Sequence, residues 1–216
     1  MDVVSVTGMV LLTGPVNDYD RRMVVLTKER GKITVFAKGA RRVGSRSMAA
    51  TNPFTFGNFK LYEGKNAYNL KDVEVINYFE SLRTDFEGAY LGMYFLEFAD
   101  YYARENNDEV QLLKLLYQSI RAIENKSLDN RLVRTVFEMK ILCVNGEFPG
   151  IPNDINVSET CKYAINYIVN TPVEKLYTFS VNESVLEELA KISARYLKMI
   201  VDKKFKSMEL LNEFCM

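Results

Sequence analysis

The hydrophobic pattern of this chain changes period near residue 80. From Val3 to Tyr78 apolar residues alternate with polar ones in short runs broken by turn residues, whereas after Phe79 they recur at helical spacing with few breakers. One element cannot serve both periods, because strand side chains alternate between two faces while helical ones return about every 3.6 residues. The expected fold class is therefore α+β in two domains, an all-β part over residues 1–80 and an all-α part over residues 81–216.

In the first part, Val3 to Leu12 reads as a strand ending at Thr13-Gly14-Pro15, Arg22 to Lys28 as a second, and Lys32 to Lys38 as a third ending at Gly39. A loop or short helix spans Ala40 to Asn52. Pro53 to Tyr62 and Ala67 to Ile76 complete five strands, joined by a turn at Glu63-Gly64-Lys65-Asn66. Five short strands with a break between the third and fourth is the plan of a small Greek-key barrel of the oligonucleotide-binding (OB) kind. In the second part, a capping box Thr84-x-x-Glu87 opens a helix through Ala103, followed by helices over Asp108 to Glu124 and Leu128 to Asn145, the latter stopped by Gly146. Ser158 is expected to cap one more and Asn182 or Ser184 another, and Ser207 to Phe214 forms a last short one.

Charge divides at the same place. The formal net charge is zero, yet residues 1–80 carry +4 and residues 81–216 carry −4. Nearly all of the asymmetry lies between Arg21 and Arg46, where nine basic residues (Arg21, Arg22, Lys28, Arg30, Lys32, Lys38, Arg41, Arg42, Arg46) face the single acid Glu29. Such clustering is the footprint of a polyanion-binding face. On the third strand Lys32, Thr34, Phe36 and Lys38 share one side, and Ile33, Val35 and Ala37 the other. Cations beside an aromatic ring are what a single strand of nucleic acid needs, charge for its phosphates and a π-face for its bases. Phe36 fits that role or packing against the loop and helices equally well. Tyr19, between Asp18 and Asp20 in the first loop, is a second stacking candidate.

Several classes are excluded or disfavoured. With no histidine in the chain, Ser-His-Asp and Cys-His systems and His-ligated metals are impossible. Cys143, Cys161 and Cys215 are far apart and odd in number, so reduced thiols are expected rather than a disulfide frame or a zinc site. No apolar run approaches the roughly 18 residues that span a bilayer. We expect a cytoplasmic, non-enzymatic protein without cofactor, metal or membrane contact.

The segments Thr27-Lys-Glu-Arg-Gly31, Ala37-Lys38-Gly39-Ala40-Arg41-Arg42 and Pro53-Phe54 resemble the N-terminal domain of the RecO family of bacterial recombination mediators. Tyr94-Phe-Leu-Glu97-Phe-Ala-Asp100, Phe137-Glu-Met-Lys140-Ile-Leu-Cys-Val-Asn-Gly146-Glu-Phe-Pro149 and Asp202-Lys-Lys-Phe-Lys-Ser207-Met-Glu-Leu-Leu211 are similar to its helical and C-terminal segments. The resemblance implies an OB domain followed by a helical domain, binding of single- and double-stranded DNA, strand annealing, and help in loading recombinase onto DNA coated by single-strand-binding protein. It implies two partners, RecR and the acidic C-terminal tail of the single-strand-binding protein, and a nucleoid-associated location. Many members carry two CxxC pairs in a zinc lobe; Phe148 to Thr160 contains no cysteine, so that lobe is expected to be absent.

Residue by residue, the resemblance covers Lys38, Arg41 and Arg42. Arg21, Arg22, Lys28, Arg30, Lys32, Phe36 and Arg46 join the expected DNA site on charge, ring and placement. An acidic, apolar tail needs a basic residue beside an apolar pocket, for which Arg121, Arg131 and Arg134 are the candidates. Two alternatives stay open from the residues alone, an OB-fold adaptor for an acidic protein partner and an RNA-binding module.

Overall fold

The computed structural model describes residues 2–154 and 156–214. Five strands, β1 (Val3–Val16), β2 (Asp20–Thr27), β3 (Gly31–Ala37), β4 (Phe56–Glu63) and β5 (Tyr68–Asn77), close a barrel in the order β1-β2-β3-β5-β4. Only the β3–β5 pair is parallel. This is the five-stranded OB topology. Val6, Val10, Met23, Val25, Ile33, Val35, Ala37, Phe59 and Leu61 fill the interior, so the alternation seen in the sequence is the inward-facing set.

Two strand ends differ from expectation. β1 does not stop at Thr13-Gly14-Pro15 but pairs on through Gly14↔Arg22, Pro15↔Arg21 and Val16↔Asp20. A register shift between Val10 and Leu12 re-aims it, as a bulge in a long barrel strand does. β4 starts at Phe56 rather than Pro53, because Phe54 turns the chain with a positive φ of 71°. A single helical turn, α1 (Ser47–Ala50), lies in the intervening loop.

The described chain separates into two compact units, residues 1–84 with 96–113 and residues 85–95 with 114–216. The first unit is thus more than the barrel. The Lys32 amide donates to the Arg104 carbonyl at 2.9 Å, the Asn106 amide donates to the Arg30 carbonyl at 3.1 Å, and Gly31 pairs with Glu105. The Lys32 ammonium donates to the Asp100 carbonyl at 2.6 Å and its carboxylate at 3.1 Å. Gly31 is required at this clasp: its φ is +63°, and a Cβ there would stand 2.3 Å from the Arg104 carbonyl oxygen. Strain in the left-handed region and the backbone clash together predict that Gly31→Ala costs about 2 kcal/mol or more, measured by urea unfolding.

The helices are α2 (Phe86–Tyr102), α3 (Val110–Glu124), α4 (Asn130–Val144), α5 (Glu159–Asn170), α6 (Glu183–Ile200) and α7 (Lys206–Phe214), with 3₁₀ turns at Glu80–Arg83 and Val173–Lys175. Ser158 caps α5 as expected, accepting from the Cys161 amide, and of the two candidates for α6 it is Asn182 that caps, accepting from the Val185 amide. The Thr84 capping box is corrected. Asp85 caps α2, accepting from the Gly88 amide at 3.0 Å, while the Thr84 hydroxyl turns back to the Ser81 carbonyl. A carboxylate is the better anion for a helix N-terminus, which decides between adjacent candidates.

In the second unit, α4 is buried from Thr135 to Leu142 and carries two ionisable residues inward. Glu138, 2% exposed, accepts from the Tyr94 hydroxyl at 2.9 Å, Arg134 Nε at 2.8 Å and the Ser193 hydroxyl at 2.8 Å. Lys140 donates to the carbonyls of Ile168, Val169 and Thr171 at 2.8–2.9 Å, satisfying the C-terminal end of α5. Burial holds its pKa below that of an ordinary lysine. Phe95 stacks on Phe137 with ring centroids 4.0 Å apart, both fully buried in the second unit.

Cys143 and Cys161 are free thiols; Cys215 lies outside the described residues. Burial first, and the Glu188 carboxylate second, push the Cys161 thiol up to about 12. At pH 8 its thiolate fraction is about one in ten thousand, so iodoacetamide mapping by mass spectrometry should leave Cys161 unmodified until the chain is unfolded. Among the described residues no group of three or more metal-ligating side chains is found, and no helix is long and apolar enough to cross a membrane.

Candidate nucleic-acid interface

The outer face of the β2–β3 hairpin is graded from closed to open. Its cross-strand pairs are Leu26↔Lys32, Val24↔Thr34 and Arg22↔Phe36. Leu26 is fully buried and Val24 nearly so, whereas Arg22 is exposed and Phe36 half-buried. The Asp100–Asn106 clasp sits at the closed end, so available charge gathers at the other.

That open end is a lobe made of two loops held together. The Gly39 amide donates to Asp20 Oδ1 at 2.8 Å, the Arg41 amide to the Tyr19 carbonyl at 2.8 Å, and the Arg41 guanidinium to the Asn17 carbonyl at 3.3 Å. The Gly39 amide, the Asn17 side chain and the positive charges of Lys38 and Arg42 hold the Asp20 carboxyl below the usual aspartate range. Gly39 and Gly44 both have positive φ, and the chain turns sharply between them. The Arg42 guanidinium lies over the Tyr19 ring, 5.3 Å from its centroid. Tyr19 is 54% exposed and Val43 at the tip is fully exposed.

The nine cations therefore fall into distinct groups. Lys38, Arg41, Arg42 and Arg46 are exposed on the lobe, with Arg22 on the adjoining face. Arg22 reaches Thr34 only at 3.4 Å. Lys28 is exposed at the other end of the hairpin. Three others are committed within the unit: Arg30 to Glu63 at 3.3 Å, Lys32 to Asp100, and Arg21 to the Met48 carbonyl, Thr51 hydroxyl and Asn52 side chain at 2.8–3.0 Å. Arg21 pairs with Ala37 on the inward-facing register, so it fastens α1 across one end of the barrel. Phe36 belongs to the open end but is half-covered, and Tyr19 is the more exposed ring. The clasp residue Asp100 lies 68 positions from Lys32 in sequence and Arg104 still farther, with no local signal to reveal them. The Tyr19–Arg42 pair was hinted at by an aromatic placed inside a polar loop.

The three helical-unit arginines also separate. Arg131 pairs with Glu183 at 2.6 Å and Arg134 with buried Glu138 at 2.8 Å. Arg121, exposed on the last turn of α3, edges a depression of about 260 Å³ shared with Leu128, Val173, Tyr177 and Thr178.

Family models described as recombination protein O N terminal and recombination protein O C terminal match residues 1–79 and 83–156. The chain belongs to the RecO family. Proteins named DNA repair protein RecO align with it nearly end to end. That of Acetivibrio thermocellus is 27% identical over 98% of this chain and 97% of its own length. Those of Clostridium novyi and Clostridium acetobutylicum are 25% identical (98% of this chain, 94% of the relative) and 26% identical (95% of each). In this RecO-family chain the Ala37–Arg42 segment, one of those that carried the resemblance, forms part of the lobe.

Proposed function

We propose that this RecO-family DNA repair protein binds single- and double-stranded DNA through residues 1–80, with the exposed lobe of Lys38, Arg41, Arg42 and Arg46 gripping phosphates. The carrying observation is that these four cations stand exposed beside Tyr19 on one braced loop, where Arg22 and Phe36 extend the surface along the β2–β3 face. By lowering phosphate repulsion and holding bases on the Tyr19 ring, the lobe brings complementary strands together for annealing. The protein acts without chemical catalysis, in the cytoplasm on the nucleoid, assisting recombinase loading on DNA coated by single-strand-binding protein. Residues 81–216 serve as the scaffold for RecR and for the acidic tail of that coat protein. Arg121 is the residue proposed for the tail, since it borders an open depression while Arg131 and Arg134 are already paired.

Fluorescence anisotropy over a salt series, with single-stranded, duplex and RNA oligonucleotides, tests the reading. Five exposed cations at about −0.7 each give a slope of log K against log salt near −3.5 on single strands. A flat dependence sinks phosphate contact, and a marked preference for RNA over matched DNA moves the assignment to RNA.

A further inference from the structure

The helical unit carries a second surface with the makings of a nucleic-acid contact. Between the end of α5 and the following 3₁₀ turn lies an open groove of about 430 Å³ lined by Tyr163, Asn166, Tyr167, Asn170, Pro172 and Lys175, with Thr171 at its end. Positions 163, 166, 167 and 170 share one face of α5. Tyr163 is 74% exposed, an unusual state for so large a ring on a helix whose other face is core. Tyr167 forms a fixed wall: its hydroxyl bonds to Thr178 Oγ1 at 2.8 Å, and its ring lies 4.8 Å from Phe179.

The polar groups decide the occupant. Asn170 donates one amide proton to the Asn166 carbonyl at 2.8 Å, which fixes its carboxamide in place. Asn166 and Asn170 thus bring two carboxamides, each a paired donor and acceptor, next to aromatic faces. Among the described residues, Lys175 is the only lining residue charged at neutral pH and no carboxylate lines the groove. Neighbouring Glu174 is neutralised by Lys114 at 2.8 Å. One cation, two carboxamides and a solvent-facing phenol match one nucleotide unit: a phosphate, a base edge and a base face. An acidic peptide with several carboxylates would find a single counter-charge here.

We infer that this groove takes one unstacked base of single-stranded DNA, stacked on Tyr163, with its edge on Asn166 or Asn170 and its phosphate on Lys175. The contact is additional to the barrel lobe and does not depend on it. The test uses the full chain with Lys38, Arg41 and Arg42 replaced by alanine, so that the lobe does not mask the groove, and three eight-unit probes: oligo-dA, oligo-rA and an abasic deoxyribose-phosphate strand. Tyr163→Ala should weaken oligo-dA about tenfold while leaving the abasic strand unchanged, and Tyr163→Phe should retain binding. Asn170→Ala should weaken oligo-dA without touching the abasic strand. Because Tyr163 is exposed, the thermal melt should not move. Unchanged oligo-dA affinity in Tyr163→Ala, or equal loss on the abasic strand, overturns the inference. So does a Tyr163→Ala effect confined to an acidic, Phe-terminated peptide, which would make the groove a peptide site. A Tyr163→Ala effect on oligo-rA alone, with oligo-dA unchanged, likewise overturns the inference and would make the groove an RNA site. Failure of the barrel reading shows differently, as an Arg41→Ala, Arg42→Ala chain that binds the abasic strand normally.

Discussion

Replacing Lys38, Arg41 and Arg42 together by alanine should lower affinity for single-stranded DNA about fifty-fold at roughly 0.15 M salt, and flatten the salt slope from about −3.5 to about −1.4. Each lost phosphate contact removes about 0.7 from the slope, and the affinity change follows from three such losses. The effect should be similar across sequences, because phosphate contacts carry no base information. The melting temperature should barely move, since all three side chains are exposed and surface pairs contribute little. Arg21→Ala should invert the pattern. Its guanidinium answers the Met48 carbonyl, Thr51 and Asn52, so its loss loosens α1 and lowers stability while the salt slope stays near the parent's. If Arg21→Ala flattens the slope and the triple variant does not, the proposed lobe is wrong.

The second large effect is structural. Glu138→Ala should destabilise the second unit by about 2–4 kcal/mol, chiefly the cost of taking the acceptor from two buried hydroxyls, since the Arg134 side chain is more than a third exposed and can turn to water. The carboxylate is nearly sealed from water and joins α4 to Tyr94 on α2 and Ser193 on α6. Its removal takes an acceptor from two buried hydroxyls and the counter-ion from Arg134. For a chain of this size that corresponds to a fall of about 10 °C in Tm. Glu138→Gln keeps the shape and part of the hydrogen bonding, so it should cost less. Urea unfolding of both variants checks the order; a loss below about 1 kcal/mol for Glu138→Ala would mean the network is not a keystone of α4.

How far these features could be read from the sequence depended on the range of the interaction. The barrel was legible because inward positions such as Ile33, Val35 and Ala37 alternate locally and turn residues separate the strands. The caps at Ser158 and Asn182 were legible for the same reason, each needing only residues three positions on. Thr84 was misread because the Thr-x-x-Glu spacing fits a capping box one residue early, while the Asp85 carboxylate is the stronger cap. In the candidate site, charge density marked the whole of Arg21 to Arg46. Which cations are occupied was beyond reach: Lys32 is claimed by Asp100 and Arg21 by Thr51 and Asn52, all distant in sequence. A basic run records how many positive charges are present, and tertiary contacts determine how many remain to meet a ligand.

The clasp between Arg30–Lys32 and Asp100–Asn106 bears on how this chain is made. A polypeptide emerging from the ribosome has all five strands available once Asn77 is out, yet the β2–β3 hairpin still lacks the main-chain partners at Arg104 and Asn106. Consolidation of the first unit must wait for the polypeptide to reach Leu113, by which time α2 has been synthesised in full. A gene truncated after Thr84 would therefore encode a barrel arrested short of its finished state.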